Sequence, residues 1–224
     1  MTILKKIAAK LPDRWQSELK RIHFGRQIKS NSFETPEPDF KILHELISSG
    51  DWVIDIGANV GHYTKRFSEL VGNQGRVIAF EPIPATFSLL AANVELFTHA
   101  NVTTINAAAS DKSGVANMTV PTFSTGLSDY YDAHLTSDGS DNGLSVLTLQ
   151  VDSLDIDQPV ALIKIDAEQH EPFVLAGMQK LIEKNRPILI IETVSEEILK
   201  NLLSLGYVEE SLPGSPNTIF KQKS

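Results

Sequence analysis

Apolar residues in the first part of the chain recur every three or four positions, which is the spacing of one helix face. Pro12 interrupts this series and is expected to restart the helix at its first turn. The segment 30–38, which contains two prolines, indicates a hinge. The pattern predicts an amphipathic helical arm over residues 1–36. Its apolar residues are Leu4, Ile7, Leu11, Trp15, Leu19 and Ile22.

Beyond the hinge, short apolar runs typical of buried strands alternate with segments of helical spacing. Three strand–helix steps in succession favour an α/β fold, with a parallel sheet covered by helices on both faces. The first five predicted strands lie at 52–57, 76–80, 102–107, 161–166 and 188–192. The predicted helices lie at 40–47, 63–71, 84–97, 172–184 and 196–205. The residues 37–224 are thus predicted to form one domain.

Two further features modify this regular pattern. Strands at 207–212 and 218–221 are separated by too few residues for a parallel crossover, so they are predicted to pair antiparallel. The alternation also breaks between 110 and 158, where strands at 115–120 and 145–151 flank a polar segment, 124–143. A loop of this length is usually functional or disordered, and we expect it to form a lid.

The charge of the chain is uneven. Its 20 Lys and Arg and 28 Asp and Glu give a net charge of −8, which opposes binding to nucleic acid. Residues 1–30 nevertheless carry eight basic side chains against two acidic ones, leaving +6 on the arm and −14 on the rest. The basic arm is expected to pack on the body, to form a homodimer, or to make a peripheral contact with a membrane surface.

The amino-acid composition limits the kinds of catalytic and metal sites that the chain can form. The chain has no cysteine, which excludes thiolate nucleophiles, cysteine-ligated zinc and disulfides. It contains no apolar run near the roughly 18 residues of a membrane span. We therefore expect a cytoplasmic protein without an integral membrane segment.

Polar residues at the ends of predicted strands are the candidates for ligand binding, because open parallel sheets bind ligands there. Asp55 and Gly57 end the first strand, and Glu81 ends the second, where a carboxylate can bind a ribose diol. A dinucleotide fingerprint starting at Gly57 requires glycine at positions 59 and 62, but the chain has Asn59 and His62. A nicotinamide-dependent oxidoreductase therefore stays only as an alternative.

Four sequence blocks, in order, resemble the FkbM family of S-adenosylmethionine-dependent methyltransferases. The blocks are Asp55-Ile56-Gly57-Ala58-Asn59-Val60-Gly61, Gly75-Arg76-Val77-Ile78-Ala79-Phe80-Glu81-Pro82, Asn106-Ala107-Ala108-Ala109-Ser110-Asp111 with Gly114, and Ile163-Lys164-Ile165-Asp166-Ala167-Glu168 with Asn185-Arg186-Pro187. The resemblance implies a class I methyltransferase (Rossmann-like) fold, a mostly parallel seven-stranded sheet with an antiparallel C-terminal hairpin.

The resemblance also implies the cofactor and the reaction. The cofactor is S-adenosyl-L-methionine, and the reaction is O-methylation of a hydroxyl on a small-molecule or glycan acceptor, such as a sugar or a secondary metabolite. The residues implied in cofactor binding are Asp55, Gly57, Ala58, Asn59 and Gly61 near the methionine part, Glu81 at the ribose, and Pro82, Ile83 and Ala108 near the adenine. We expect a branched side chain at Gly57 to fill cofactor space and leave the fold intact.

An alcohol acceptor is a weak acid, so a general base assists the transfer. Asp166, Glu168 and His170 recur at every second position after the fourth predicted strand, and on an extended backbone they share one face toward the cofactor. The alternative is that Glu168 and His170 begin the next helix. No pair of histidines has ligand spacing, so no metal site is predicted, but the trio of Asp166, Glu168 and His170 leaves a divalent ion as an alternative to the base.

One position departs from the family pattern. The family usually has glycine between Glu168 and His170, where this chain has Gln169. Its side chain is expected either to narrow the acceptor pocket or to change the backbone conformation. A non-catalytic module that binds an adenosyl ligand is the alternative that this departure leaves open.

Overall fold

The computed structural model describes residues 12–120, 134–136 and 143–223. Its strands are β1 (Trp52–Ile56), β2 (Arg76–Phe80), β3 (Val102–Ile105), β4 (Ala108–Ala109), β5 (Gly114–Thr119), β6 (His134–Thr136), β7 (Leu144–Leu149), β8 (Val160–Ile165), β9 (Ile188–Ile191), β10 (Tyr207–Ser211) and β11 (Thr218–Gln222). Its helices are α1 (Asp13–Lys29), α2 (Pro38–Leu46), α3 (His62–Val71), α4 (Pro84–Val94), α5 (Glu171–Ala176), α6 (Gln179–Asn185) and α7 (Glu196–Ser204).

Within the described residues, seven strands form the main sheet in the order β10-β11-β9-β8-β1-β2-β3. The strands β1, β2, β3, β8 and β9 are parallel, and β11 pairs antiparallel with both β9 and β10. The central strands are apolar on both faces because helices cover both sides, and Val53 and Leu162 are fully buried. The predicted α/β fold with its antiparallel C-terminal hairpin is confirmed.

A second, four-stranded sheet has the order β4-β7-β5-β6. It contains the two strands predicted at 115–120 and 145–151, which pair antiparallel as β5 and β7. Of the segment 124–143, only Gly143 and β6, which pairs with β5, lie within the described residues. The lid prediction for the rest of this segment lies outside them.

The prediction of one continuous helix at 172–184 is wrong, because the structure has two shorter helices there. The chain leaves the helical conformation at Met178, whose φ is −131°. Gly177 lies so close to the backbone of Ser110 that a Cβ atom would be 1.9 Å from its carbonyl oxygen. The Asp152 side chain then accepts two backbone N–H hydrogen bonds at the start of α6, at 3.0 and 2.9 Å.

Helix α1 packs against the body through its C-terminal half. Ile28 is buried in a cluster with Phe33, Val60 and Leu89, which joins α1 to α4 and to the loop after β1. Residues 1–11 lie outside the described part, so the division into an arm (1–36) and a domain (37–224) stays a prediction. No helix among the described residues is long and apolar enough to cross a membrane.

The junction of β1 and β8 depends on Gly57. Its φ is +77°, and a Cβ atom there would lie 1.9 Å from the carbonyl oxygen of Asp166. A side chain would therefore enter the sheet backbone, and the expectation that substitution of Gly57 leaves the fold intact is wrong.

We predict that Gly57→Ala lowers the free energy of unfolding by roughly 3 kcal/mol or more, from backbone strain plus the collision. Gly50→Ala is the matched control, since Gly50 has a φ of +95° with nothing within 4 Å of the added atom. The control isolates the strain, about 1 to 2 kcal/mol. Urea unfolding measures both, and equal losses would show that the collision with Asp166 is absent.

Candidate active site

A cavity of about 430 Å³ opens at the carboxyl ends of β1, β2 and β8. This size is ordinary for a small-molecule site, and the position is the one where open parallel sheets bind ligands. Eleven of the residues predicted from the sequence line the cavity. They are Asp55, Gly57, Ala58, Asn59, Glu81, Pro82, Ile83, Ala108, Asp166, Glu168 and His170.

Gly61, also predicted to contact the cofactor, is not among the residues that line the cavity. It precedes α3 with a φ of +99°, and a Cβ atom there would lie 2.8 Å from Leu90 Cδ1. Glycine at this position therefore lets the start of α3 pack closely against α4. The structure supports a role in packing, where the sequence suggested cofactor contact.

The Glu81 carboxylate is held by two backbone groups on either side of the cavity. Its Oε2 accepts a hydrogen bond from the N–H of Asn59, and its Oε1 accepts one from the N–H of Ile83, both at 2.9 Å. Burial raises the pKa of Glu81 to about 7, although these hydrogen bonds favour the ionised form. Each oxygen keeps capacity to accept a further hydrogen bond, so the fixed carboxylate fits a ribose diol.

Asp55 has one carboxylate oxygen without a partner. The hydroxyl of Thr64 donates to its Oδ2 at 2.6 Å, whereas its Oδ1 is buried and accepts no hydrogen bond. Burial raises the pKa of Asp55, and the charge of Lys164 opposes this rise. Buried polar atoms are normally paired, so the unpartnered oxygen at the cavity wall fits the ammonium group of an amino-acid ligand.

Lys164 provides the positive charge beside these acids. It is 2% exposed, its Nζ lies 2.9 Å from Asp166 Oδ2, and the same atom is 4.7 Å from the ring centroid of Tyr63. Burial alone would lower the pKa of Lys164, but Asp166 and Asp55 outweigh it and raise the pKa. Sequence reasoning assigned Lys164 no role, although a lysine within an apolar strand signals a buried ion pair.

Three carboxylates lie close together next to Lys164. Asp166, Glu168 and Glu192 each place an oxygen within 4.8 Å of the others. The protonated Glu192 carboxyl donates a hydrogen bond to Asp166, and this bond together with burial raises the pKa of Glu192 to about 8. Burial also disfavours ionisation of Asp166, but Lys164 lowers its pKa overall. The Asp166–Glu192 pair therefore shares a proton near neutral pH.

Glu192 lines the cavity but was not among the predicted site residues. The signal was available, because Glu192 is the last residue of the strand predicted at 188–192, whose carboxyl end lies at the same edge of the sheet.

The expected extended backbone after β8 is wrong. The strand ends at Ile165, and the chain then turns from Ala167 to His170, with a hydrogen bond from His170 N to Ala167 O at 3.0 Å. Glu168 and Gln169 both have positive φ, 47° and 71°. Alternation of side chains therefore does not apply. In the structure Glu168 lies close to Asp166, whereas His170 lies at another part of the cavity wall, next to Ser110.

His170 precedes α5 and lies partly buried at the cavity wall. Its Nε2 is 2.9 Å from the Ser110 hydroxyl, and its ring stacks on Phe173 with a centroid separation of 4.6 Å. Burial lowers the pKa of His170, so the imidazole is neutral at neutral pH.

Gln169 is exposed and does not line the cavity, so the expectation that it narrows the acceptor pocket is wrong. Its backbone adopts the left-handed conformation that glycine adopts most easily. The backbone of this turn thus suits glycine, the residue typical of the family, although glutamine is present.

The segment 34–37 also lines the cavity, which sequence reasoning missed. The Tyr63 hydroxyl lies 2.5 Å from both Glu37 Oε2 and Asp39 Oδ2, and the Asn217 side chain donates to Asp39. These contacts tie the chain that follows α1 to α3 and to the hairpin loop. The hinge predicted at 30–38 is therefore part of the cavity wall.

The fold and the cavity together define a class I S-adenosylmethionine-dependent methyltransferase domain, and S-adenosylmethionine is its cofactor. A family model described as "Methyltransferase FkbM domain" matches residues 55–209. The chain belongs to the FkbM methyltransferase family. This membership excludes the nicotinamide-dependent alternative.

Two individual proteins illustrate the similarity. The solved structure of methyltransferase FkbM from Methylobacillus flagellatus has 15% sequence identity and a TM-score of 0.55, covering 93% of this chain and 60% of that one. The ribosomal RNA large subunit methyltransferase E of Methanothermobacter thermautotrophicus is 34% identical over 73 residues, 30% of this chain. The chain matches only 34% of the length of that curated relative.

We predict that the affinity for S-adenosylhomocysteine falls about tenfold from about pH 8 to about pH 6, because ribose binding requires the ionised Glu81, whose pKa is about 7. Glu81→Gln should remove this pH dependence and weaken binding by roughly 1.5 to 3 kcal/mol per lost charge-assisted hydrogen bond. Calorimetry measures both, with Glu95→Gln on the exposed end of α4 as the control. If Glu81→Gln kept the wild-type pH profile, the assignment of Glu81 to ribose binding would be wrong.

We predict that Gln169→Gly raises the free energy of unfolding by up to about 1 kcal/mol, because glycine relieves the strain of the positive φ. Gln169→Ala removes the same side chain but keeps the strain, so it should give no gain. Chemical unfolding of the two variants provides the comparison. An equal gain in both would mean that the side chain, and not the backbone, is unfavourable.

Proposed function

We propose that the protein transfers the methyl group of S-adenosylmethionine to a hydroxyl of a sugar, glycan or secondary metabolite. The observation that carries this proposal is that one cavity contains two sets of acidic side chains. Glu81 and the free oxygen of Asp55 suit the ribose and the ammonium of the cofactor. The carboxylate cluster beyond Lys164 suits an acceptor that must lose a proton.

S-adenosylmethionine supplies an electrophilic methyl group, so the protein must mainly align the acceptor and exclude water. A base in contact with the acceptor hydroxyl contributes further. Among the predicted catalytic residues, Asp166 is ion-paired with Lys164 and is a weak base. Glu168 lines the cavity beside the Asp166–Glu192 pair. We therefore assign proton acceptance to Glu168, with Glu192 as the group that receives the proton next.

His170 has a different proposed role. Its imidazole is neutral and fixed by Ser110 and Phe173, which suits a group that orients the acceptor by hydrogen bonding. A neutral imidazole can also act as a general base, although burial lowers the pKa of His170 and makes it a weaker base than an exposed histidine. We therefore keep it in the proposed catalytic set with Asp166 and Glu168, and expect its loss to affect turnover more than cofactor binding.

The proposal predicts that Glu168→Gln and His170→Ala retain affinity for S-adenosylhomocysteine and lose roughly 10²- to 10⁴-fold in transfer rate. Radiolabelled methyl transfer to a panel of sugars, polyols and phenols identifies the acceptor and measures the rate, with and without a chelator. Glu197→Gln, an exposed acid on α7, is the control. If both cavity variants transferred the methyl group at the wild-type rate, neither residue would be the base, and alignment of the acceptor alone would account for catalysis.

The same assay tests the shared proton. We expect the wild-type rate to rise as the pH increases through about 8, because the Asp166–Glu192 pair must be deprotonated to receive a proton. Glu192→Gln should abolish this dependence. Cofactor binding without transfer to any acceptor of the panel would instead support the non-catalytic adenosyl-binding alternative.

A further inference from the structure

Helix α1 exposes one apolar stripe to solvent. Trp15, Leu19 and Ile22 are spaced by four and three residues, which places them on one side of the helix, and they are 54%, 47% and 50% exposed. Phe24 and Ile28, by contrast, belong to the cluster that packs on the body. The stripe therefore does not hold the helix in place, and a contiguous exposed apolar surface of this kind indicates an interaction site.

The charges around the stripe are mostly basic. Arg26 and Lys29 are exposed and continue the same four-and-three spacing, so they extend the stripe toward the end of the helix. Arg14 lies 5.8 Å from the ring centroid of Trp15. The acid Glu18 is paired with Arg21 at 3.3 Å. The surface thus combines an indole and two aliphatic side chains with exposed positive charge.

We propose that α1 binds the surface of a bilayer that contains anionic lipids, with Trp15, Leu19 and Ile22 at the level of the headgroups and Arg26 and Lys29 against the lipid phosphates. Charge complementarity favours this partner, because the arm carries +6 while the rest of the chain carries −14 and is repelled by an anionic surface. Because the arm is attracted and the rest of the chain is repelled, the molecule is oriented with α1 toward the bilayer. This inference does not depend on the proposed reaction.

A second copy of the chain fits the stripe less well. Two copies packed in parallel along this face would place Arg26 and Lys29 against their own counterparts, where like charges repel, whereas an anionic bilayer surface attracts them. The concavity between α6 and α7 encloses only about 30 Å³, too small for an indole ring. The apolar spacing in the sequence also continues upstream at Leu11, Ile7 and Leu4, which lengthens the pattern expected of an interfacial helix.

Sedimentation of the full-length protein with vesicles tests the proposal. We expect binding to vesicles of phosphatidylglycerol and phosphatidylcholine in equal parts, weakened by salt, and much weaker binding to phosphatidylcholine alone. Trp15→Ser/Leu19→Ser/Ile22→Ser should reduce partitioning about tenfold or more. The control Leu203→Ser/Val208→Ser removes comparably exposed apolar residues from the body and should bind as the wild type does.

Charge reversal provides an independent variant. Arg26→Glu/Lys29→Glu should also lose binding, whereas Lys184→Glu/Lys200→Glu, exposed on α6 and α7, should show a much smaller loss. Circular dichroism and affinity for S-adenosylhomocysteine establish that each variant is folded. The proposal is overturned if the wild type stays in the supernatant, or if the stripe variants bind normally. It is also overturned if light scattering shows a dimer that the triple substitution separates.

Discussion

A single buried ammonium group makes the arrangement of the cavity possible. Asp55 and Asp166 lie at the ends of the adjacent strands β1 and β8, and because Asp55 is fully buried and Asp166 partly buried, their carboxylates repel each other and lose hydration. The Nζ of Lys164 pairs with Asp166 and lies against the face of Tyr63, so Asp166 stays ionised. Removal of such a charge would leave the acids uncompensated, which is far more costly than the pair itself.

Two other acids of the cavity, Glu81 and Glu192, are held in different ways. Glu81 is fixed by two backbone N–H groups, and its pKa is raised chiefly by burial. Glu192 lies against Asp166, and its pKa is raised chiefly by that neighbour. The first carboxylate is fixed by its hydrogen bonds and suits recognition of an unchanging cofactor. The second holds a proton between two carboxylates, which suits a reaction that moves a proton.

The sequence predicted those features that follow from periodicity and strand ends. Asp55 and Glu81 were placed correctly at the cavity because each ends an apolar strand run. The close approach of Gly57 to Asp166 was not predicted, since it depends on the register of β1 against β8. Lys164 and Glu192 were missed as functional groups although each had a signal in the sequence, because the contacts of Lys164 with Tyr63 and of Glu192 with Asp166 join residues far apart in the sequence.

The turn after β8 shows why a positive φ is hard to predict from the sequence when the residue is not glycine. Glu168 and Gln169 do not by themselves indicate positive φ, and only the glycine that the family usually has at position 169 pointed to a backbone other than extended or helical. The turn is fixed by its surroundings: Glu171 Oε1 accepts the N–H of Ala167 at 3.1 Å, and the Ala167 carbonyl accepts the N–H of His170 at 3.0 Å. Strained residues persist where neighbouring groups over-determine their conformation. Here the strain turns Glu168 toward Asp166 and Glu192, so the backbone conformation that glutamine tolerates is the one that assembles the carboxylate cluster.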